Sequence, residues 1–135
     1  MIKQLNHIEI ALYYPKLYQA CFGKPAPKSH PSVMLIAEDE DRMFGFSSGF
    51  FHNAITFYVN SVGAIPEYRT KKNAAIYEKS FHRYYKERLG VKHIIGFVEN
   101  TNIRTLHVAL RAKYLITGIR ITSDNKTLVV ISKTL

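Results

Sequence analysis

The stretch Asn60–Arg88, NSVGAIPEYRTKKNAAIYEKSFHRYYKER, decides how the rest of the chain is interpreted. It starts inside an apolar strand predicted over Ile55–Ile65, breaks at Pro66 and becomes a helix predicted over Thr70–Leu89. The first N–H groups of a helix have no partner within the helix and lie at the positive end of its dipole. A strand, a tight loop and a helix start therefore suit a ligand that carries phosphates. Three cations add to the positive charge there: Arg69, Lys71 and Lys72.

Part of this stretch, Pro66–Ala74 (PEYRTKKNA), resembles the acyl-CoA loop of the GNAT superfamily of N-acyltransferases. The family pattern is roughly V-x-P-x-Y-R-G-K-G-x-G/A after the central strand. The Pro, the Tyr, the Arg, the first Lys and the final small residue match, whereas Thr70 and Lys72 replace two glycines. Because glycine permits torsions and close approaches that other residues resist, these replacements predict weakened but not abolished cofactor binding.

The resemblance implies that the protein uses acetyl-CoA as a co-substrate, without a metal, and transfers its acetyl group to an amine acceptor of unknown identity. Ala64 and Ile65 would then pair with the pantetheine arm through their backbone. Backbone amides of the loop would hold the pyrophosphate of CoA. They belong to Arg69, Thr70, Lys71, Lys72, Asn73 and Ala74.

A second segment, Glu99–Gly118, matches the same family in the expected order along the chain. The family often has an Asn at the end of its fifth strand, then a helix, then a Gly-Phe pair that opens the sixth strand and a Gly a few residues on. Asn102 would be the residue that contacts pantetheine, but the Tyr that many members carry seven residues further is Ala109 here. The residues that reproduce the spacing are Asn102, Leu106, Lys113-Tyr114 and Gly118, with Lys113 in place of the usual Gly.

The implied fold is a mixed α/β sheet of about six strands flanked by helices, in one GNAT-like domain over residues 1–135. Residues 2–22 have helical periodicity in two parts divided at Pro15, so the first strand is expected to be reduced or absent. In the family the strand before the loop splays from its parallel neighbour through a bulge, for which Asn60–Gly63 is suited. The other predicted strands are Val33–Ala37, Arg42–His52, Val91–Val98, Tyr114–Thr122 and Thr127–Lys133, and a last helix is capped by Asn100 or Thr101.

The composition predicts a folded and basic chain, since 47% of its 135 residues are hydrophobic and its formal net charge is +9. Between Arg69 and Lys113 there are eleven Lys and Arg residues against three Glu residues. This charge fits solvated helix faces or a field that attracts a polyanion, and both CoA and nucleic acid are polyanions. Nucleic acid is the less favoured partner, because the aromatic residues are spaced for burial rather than interleaved with the cations.

Other features bear on where the protein acts. No apolar run reaches the ~18–20 residues of a membrane span, and the N-terminal sequence MIKQLNHIEI lacks the features of a secretory signal. The single cysteine, Cys21, cannot form an internal disulfide, and no Cys/His cluster has zinc spacing. We therefore expect a cytoplasmic protein without a membrane partner or a metal, and the sequence leaves a homodimer open.

Candidate catalytic residues are few. Asp and Glu are absent between positions 43 and 66, so the strands that would line the site supply no carboxylate. His52, at the end of one of these strands, is the best-placed titratable group, although a surface role also fits it. Asn60 and Ser61 could orient a water molecule or the acceptor, and Tyr114 is a candidate acid that packs in the family pattern. Two further histidines are expected elsewhere, His82 at the surface and His107 partly buried beside the sheet.

Two functions from different classes remain open at this point. The leading one is an acyl-CoA-dependent N-acetyltransferase that acts by direct attack of an amine on a thioester. The alternative is a catalytically inactive GNAT-fold interaction or structural protein, for example a viral component. The lost glycines, the alanine at position 109 and the reduced N-terminus favour the alternative.

Overall fold

The computed structural model describes residues 1–69 and 71–135, without the side chains of residues 71–76. The described residues form seven strands, three helices and one short 3-10 turn. The strands are β1 (Ile2–Gln4), β2 (Val33–Asp39), β3 (Arg42–Phe51), β4 (Thr56–Ala64), β5 (His93–Glu99), β6 (Leu115–Ile121) and β7 (Thr127–Thr134). The helices are α1 (His7–Phe22), α2 (Lys71–Leu89) and α3 (Ile103–Arg111), and the 3-10 turn is Pro66–Tyr68.

The strands form one sheet in the order β1-β2-β3-β4-β5-β7-β6. Neighbouring strands are antiparallel except for β4 and β5, which are parallel and are joined through α2. This arrangement confirms the mixed sheet predicted from the sequence. The first strand is reduced rather than absent, since the three residues of β1 pair with β2.

The first helix differs from its prediction. It begins at a capping box, in which the backbone N–H of Glu9 donates to the side-chain oxygen of Asn6 at 2.9 Å. It continues through Pro15 because its buried residues recur on one face on both sides of the proline. The apolar residues Ile8 and Leu12 are exposed. The buried residues of α1 are Ile10, Tyr14, Leu17 and Cys21.

The two long helices cover opposite faces of the sheet. The ring of Phe46 in β3 packs edge-on against Tyr14 of α1, with 6.1 Å between the ring centroids. The hydroxyl of Ser47, the next residue of β3, lies 2.6 Å from the hydroxyl of Tyr85 in α2. Because successive strand residues point to opposite faces, the sheet has an α1 face and an α2 face.

The aromatic stripe predicted on α2 forms the buried side of that helix. Phe81 and Tyr85 are buried, and the ring of Tyr85 lies 4.7 Å from the ring of Phe57 in β4. The neighbouring Tyr84 is half-buried. The helix therefore packs on the sheet through aromatic rings.

The placement of His82 corrects the sequence prediction, because its side chain is buried with 9% exposure instead of lying at the surface. The ammonium of Lys133 donates to Nδ1 of His82 at 3.3 Å, so the Nε2–H of His82 donates to the hydroxyl oxygen of Tyr114 at 3.0 Å. A carboxylate oxygen of Glu78 lies 3.8 Å from the same Nε2 atom. Burial and the charge of Lys133 lower the pKa of His82 to about 4, while burial raises the pKa of Glu78.

The third helix is capped one or two residues later than predicted. Asn102, instead of Asn100 or Thr101, accepts a hydrogen bond from the backbone N–H of Thr105 at 3.2 Å. His107 on this helix is exposed, so its predicted partial burial beside the sheet was wrong. The helix buries Ala109, the position at which many family members carry a tyrosine.

Candidate active site

The parallel strands β4 and β5 separate partway along their length. They pair over Thr56–Val59 and His93–Gly96 and no further. Beyond that point β4 stays paired with β3 as far as Ala64, and β5 stays paired with β7 as far as Glu99. A wedge-shaped opening therefore lies between the two strands, as the resemblance implied. We refer to it as the splay.

A β-bulge lies in β4 at the point where the strands separate. Ser48 of β3 is opposite Ser61, and Gly49 is opposite Val59, so Asn60 is the extra residue of β4. The hydroxyl of Ser48 donates to the side-chain oxygen of Asn60 at 2.8 Å. A bulge bends its strand and increases the local twist, which accounts for the departure of β4 from β5.

Gly63, the last residue of the segment predicted to form the bulge, has a packing role. A Cβ atom at this position would lie 2.8 Å from the ring of Phe22 and 3.3 Å from the Cβ atom of Cys21. The missing side chain thus allows the C-terminal end of α1 to pack on the last part of β4.

The backbone of β4 determines which groups face the splay. Ile65 donates its N–H to the carbonyl oxygen of Phe44 at 2.8 Å, and its own carbonyl accepts from the N–H of Tyr68 at 2.9 Å. The pantetheine pairing expected for Ile65 would therefore compete with bonds already made. Alternate residues of an antiparallel strand direct their N–H and C=O groups to opposite edges, so Val62 and Ala64 direct theirs toward the splay. Val62 was missed because the sequence does not show which edge each residue faces.

The loop after β4 is held in place by the residues that match the family motif. Pro66 begins the 3-10 turn, and the ring of Tyr68 stacks on Phe44 with 4.5 Å between centroids and 13° between planes. The Nε–H group of Arg69 donates to the carbonyl oxygen of Ala64 at 3.0 Å. The exposed guanidinium of Arg69 is thereby positioned beside the end of β4, two residues before α2 begins.

The rest of the predicted pyrophosphate site falls on the first turn of α2. The backbone of α2 begins at Lys71, so the N-terminus of this helix follows directly on the loop. Such a helix start presents unpaired N–H groups and the positive end of the dipole. The structure does not describe Thr70 or the side chains of Lys71, Lys72, Asn73 and Ala74.

Two of the four candidate catalytic residues lie together. Asn60 and Ser61 are adjacent in the bulge, and the contact with Ser48 places them on the α1 face. His52 donates its N–H to the carbonyl of Thr56 in the β3–β4 hairpin, which places it about 13 Å or more from the bulge along the strand. Tyr114 lies on the α2 face, where its hydroxyl accepts the histidine hydrogen bond described above and burial raises its pKa. The structure therefore brings neither His52 nor Tyr114 to the bulge.

Asn102 lies on the far side of the splay. Its backbone N–H donates to the carbonyl of Glu99 at 2.9 Å, which holds it at the end of β5. Its side-chain oxygen accepts the cap bond from Thr105, which leaves the amide Nδ2 group to donate to a ligand.

Sequence reasoning missed one polar residue at the bulge. Tyr14 of α1 was not singled out from the sequence, and its ring is fully buried. Burial raises the pKa of its hydroxyl, and the polar side chains of Ser61 and Asn60 oppose that rise. The signal that could have found it is its position in the middle of the buried face of α1, opposite the central strands.

Two surface grooves lie apart from the splay. One, of about 360 Å³, lies between β1 and the C-terminal half of α2, and Ile2 and Tyr84 are among its lining residues. The other, of about 290 Å³, lies between α1 and the ends of β3 and β4, beside Leu17 and Ile65. Both grooves are open, and neither contains the bulge residues.

Comparison with solved structures identifies the fold. The spermidine/spermine N-acetyltransferase from Vibrio cholerae aligns with a TM-score of 0.75 at 11% identity, over 99% of this chain and 91% of that one. The ribosomal-protein-S18-alanine N-acetyltransferase from Escherichia coli aligns with a TM-score of 0.71 at 13% identity, over 99% and 92%. A GNAT family acetyltransferase from Elizabethkingia anophelis, with acetyl-CoA bound, aligns with a TM-score of 0.63 at 8% identity, over 99% and 98%.

The chain therefore has the fold that these structures share, which is the GNAT fold that its sequence motifs indicated. No protein-family model matches the sequence, and no curated protein matches it with significance. Among the described residues no helix has both the length and the apolar character that crossing a membrane requires.

Proposed function

We propose that the protein is an acetyl-CoA-dependent N-acetyltransferase acting on an amine. The observation that carries this proposal is the splay, which opens after the Val59–Gly96 pair, at the bulge, and lies beside the N-terminus of α2. A parted pair of parallel strands offers backbone groups to an extended arm, and the helix start offers N–H groups to phosphates. These two features lie next to each other along the chain.

The residues present fit acetyl-CoA at both ends of the splay. From β4, Val62 turns its N–H and C=O groups toward the splay and Ala64 its N–H group, since the Ala64 carbonyl already accepts from Arg69. Asn102 holds an amide group at the far side. Arg69 and the start of α2 supply positive charge where the pyrophosphate would lie. Bound acetyl-CoA supplies an acetyl group activated as a thioester, and the chain's own residues bind and orient the reactants.

Positioning carries most of the proposed catalysis. The amine nitrogen bonds to the acetyl carbon, the C–S bond breaks, and the proton that the nitrogen loses ends on the sulfur, which gives an amide and free CoA. The described bulge residues include no carboxylate, and Asn60 and Ser61 are neutral hydrogen-bonding groups. They orient the amine instead of deprotonating it.

The experiment that tests the proposal is calorimetry with acetyl-CoA, followed by turnover with a panel of amines. The panel should include spermidine and a peptide with an N-terminal alanine, because proteins of the same fold carry those specificities in their names. Saturable binding with release of the CoA thiol supports the proposal. The absence of binding at millimolar acetyl-CoA would refute it, and binding without turnover on any amine would favour the inactive alternative.

A reducing, cytoplasmic location belongs to the same proposal. The chain has a single cysteine, Cys21, which is buried and unbonded. Disulfide formation is therefore not part of its stability.

A further inference from the structure

The strand β6 is an open edge of the sheet, because the strand order ends there and no described strand pairs with its outer side. The N–H of Asn100 donates to the carbonyl oxygen of Thr127, so alternate residues of β7 from Thr127 to Ile131 direct their N–H and C=O groups to β5. The residues of β6 opposite them therefore direct their own N–H and C=O groups to the open edge. These residues are Ile116, Ile119 and Ile121.

The side chains of these three isoleucines are uncovered as well. They lie on the α2 face of the sheet, because they are opposite the alternate β7 residues that lead to Lys133, whose ammonium contacts His82 of α2. The exposed fraction is 55% for Ile116, 71% for Ile119 and 70% for Ile121. Free backbone groups and apolar side chains thus occur on the same residues.

An edge of this kind is a template for another strand. Natural sheets often protect an open edge with prolines, charged side chains or a covering element. The strand β6 has no proline, and its single charged residue is Arg120. The guanidinium of Arg120 lies on the other face, 5.6 Å from the centre of the Phe97 ring. The open edge therefore suits an extended and apolar segment that supplies its own backbone hydrogen bonds.

A second copy of β6 fits the edge when the two strands run antiparallel about a two-fold axis at Ile119. Ile119 is then opposite Ile119 of the second copy. Thr117 is the extra residue of a bulge in β6, so the register passes over it and Ile116 is opposite Ile121 of the second copy. Every residue with open backbone groups is thus opposite another such residue, and each of these pairs can exchange two hydrogen bonds.

The charges favour the same register. An axis at Ile119 places Arg120 opposite Gly118 of the second copy, whereas an axis at Arg120 would place two arginines opposite each other. Counted outward from Ile119, Lys113 of one copy lies level with Asp124 of the other. Both side chains are exposed, and neither forms an ion pair with a described residue. Two reciprocal ion pairs would therefore form, one at each end of the paired strands.

We propose that the protein forms a homodimer in which β6 pairs with β6 of the second copy, antiparallel and centred on Ile119. The two seven-stranded sheets then form one continuous sheet, and the isoleucines of both copies form one apolar row on the α2 face. The assembly is closed, because each copy uses the same edge. This pairing does not depend on acetyl-CoA or on the proposed activity.

Sedimentation velocity of the full chain tests the proposal. The paired surface is narrow beside the ~1,200–2,000 Å² of stable interfaces, so we expect monomers at about 1 µM and dimers at about 300 µM. The mass should rise from the 15.5 kDa of one chain toward twice that value. Ile119→Lys places two ammonium groups at the axis and should raise the dissociation constant at least about 100-fold. Ile8→Lys, at a 68% exposed position of α1, is the matched control and should dimerise like the wild type.

The ion pairs test the register. Lys113→Glu or Asp124→Lys alone should raise the dissociation constant about tenfold, because each creates two like-charge contacts in the dimer. The double variant exchanges the charges and should return to within about threefold of the wild type. Single variants without an effect, or a double variant without recovery, would overturn the proposed pairing.

Other outcomes also overturn the inference. A wild type that stays monomeric at about 300 µM would refute the dimer. A dimer that survives Ile119→Lys would show that the copies meet elsewhere, and association beyond the dimer would contradict the closed pairing. If Ile119→Lys does not fold, Ile121→Lys replaces it at a similarly exposed position, and dimerisation of that variant like the wild type would refute the pairing.

Discussion

The Nε atom of Arg69 lies 3.0 Å from the carbonyl oxygen of Ala64 and donates a hydrogen bond to it. This contact joins a cationic side chain of the loop to the last residue of β4. The guanidinium is therefore held at the edge of the splay instead of extending freely into solvent. A planar fork fixed at one nitrogen keeps its other donors available to an anion.

Replacement of Arg69 tests this arrangement. We expect acetyl-CoA to raise the Tm of the wild type, and we expect Arg69→Glu to abolish the shift, because it reverses the charge where the pyrophosphate would lie. Arg69→Lys keeps the charge but loses the fixed fork, so an intermediate shift is expected. Lys92→Glu, in the loop between α2 and β5, is the control and should behave like the wild type. Equal loss of the shift in the control would mean that overall charge matters more than the site.

The buried histidine predicts how stability depends on pH. The pKa of His82 is about 4 in the folded protein and 6.5 in its ordinary range, so between these values the unfolded chain binds more protons at this residue. Stability should therefore fall as pH decreases from about 6.5 to about 4, by about 2–4 kcal/mol from this group. The raised pKa of Glu78 acts in the opposite direction, since its ionisation disfavours the folded state as pH rises.

The pH effect is isolated by comparing the wild type with His82→Gln in urea denaturation at several pH values. Glutamine keeps a donor for the hydroxyl of Tyr114 but does not titrate. The difference in unfolding free energy between the two proteins should shrink as pH falls toward 4. A difference that is constant with pH would contradict the buried, neutral state of His82.

A second stability prediction concerns the 2.6 Å hydrogen bond between the hydroxyls of Ser47 and Tyr85. Both side chains are buried, so Tyr85→Phe should leave the Ser47 hydroxyl unsatisfied and cost about 1–3 kcal/mol. Adding Ser47→Ala to that variant removes the orphaned group, and the double variant should lose less than the two single variants together. Strict additivity in chemical denaturation would show that the bond contributes nothing.

A third stability prediction concerns the close approach of β3 to β4 beside the bulge. A Cβ atom at Gly49 would lie 1.9 Å from the carbonyl oxygen of Tyr58, so Gly49→Ala forces the strands apart. We expect a loss of about 1–3 kcal/mol or more in the free energy of unfolding. At Gly118 an added Cβ atom would lie 3.9 Å from Val130, an ordinary contact, so Gly118→Ala is the control and should change stability little. Equal effects at the two positions would contradict this account.

The fold was predictable because two motifs occur in order and the periodicity around them is strong. The strand–helix–strand unit through α2 and the C-terminal hairpin formed as expected, although strand ends moved by a few residues. The position of His82 was not predictable from its cationic neighbours. The relevant signal was its spacing from Glu78 and Tyr85, at i−4 and i+3, which puts it on the edge of the buried face.

The candidate site was predicted less completely than the fold. Motif matching pointed to Arg69 and Asn102, which lie at the end of β4 and after the end of β5, and their binding roles stay predictions. It did not single out Tyr14 or Val62, because the sequence does not show which face of the sheet α1 covers or which edge of β4 lies beside the splay. Such relations arise only when distant segments come together in three dimensions.

The extra residue in β4, Asn60, determines what a deletion at this position would do to the sheet. Because Asn60 is the unpaired position, removing it would leave every other residue of the strand opposite its present partner in β3, on its present face. Without the bulge β4 would be straight, and β4 could then pair with β5 along the whole length of β5. One deleted codon would thus leave the architecture intact and close the splay.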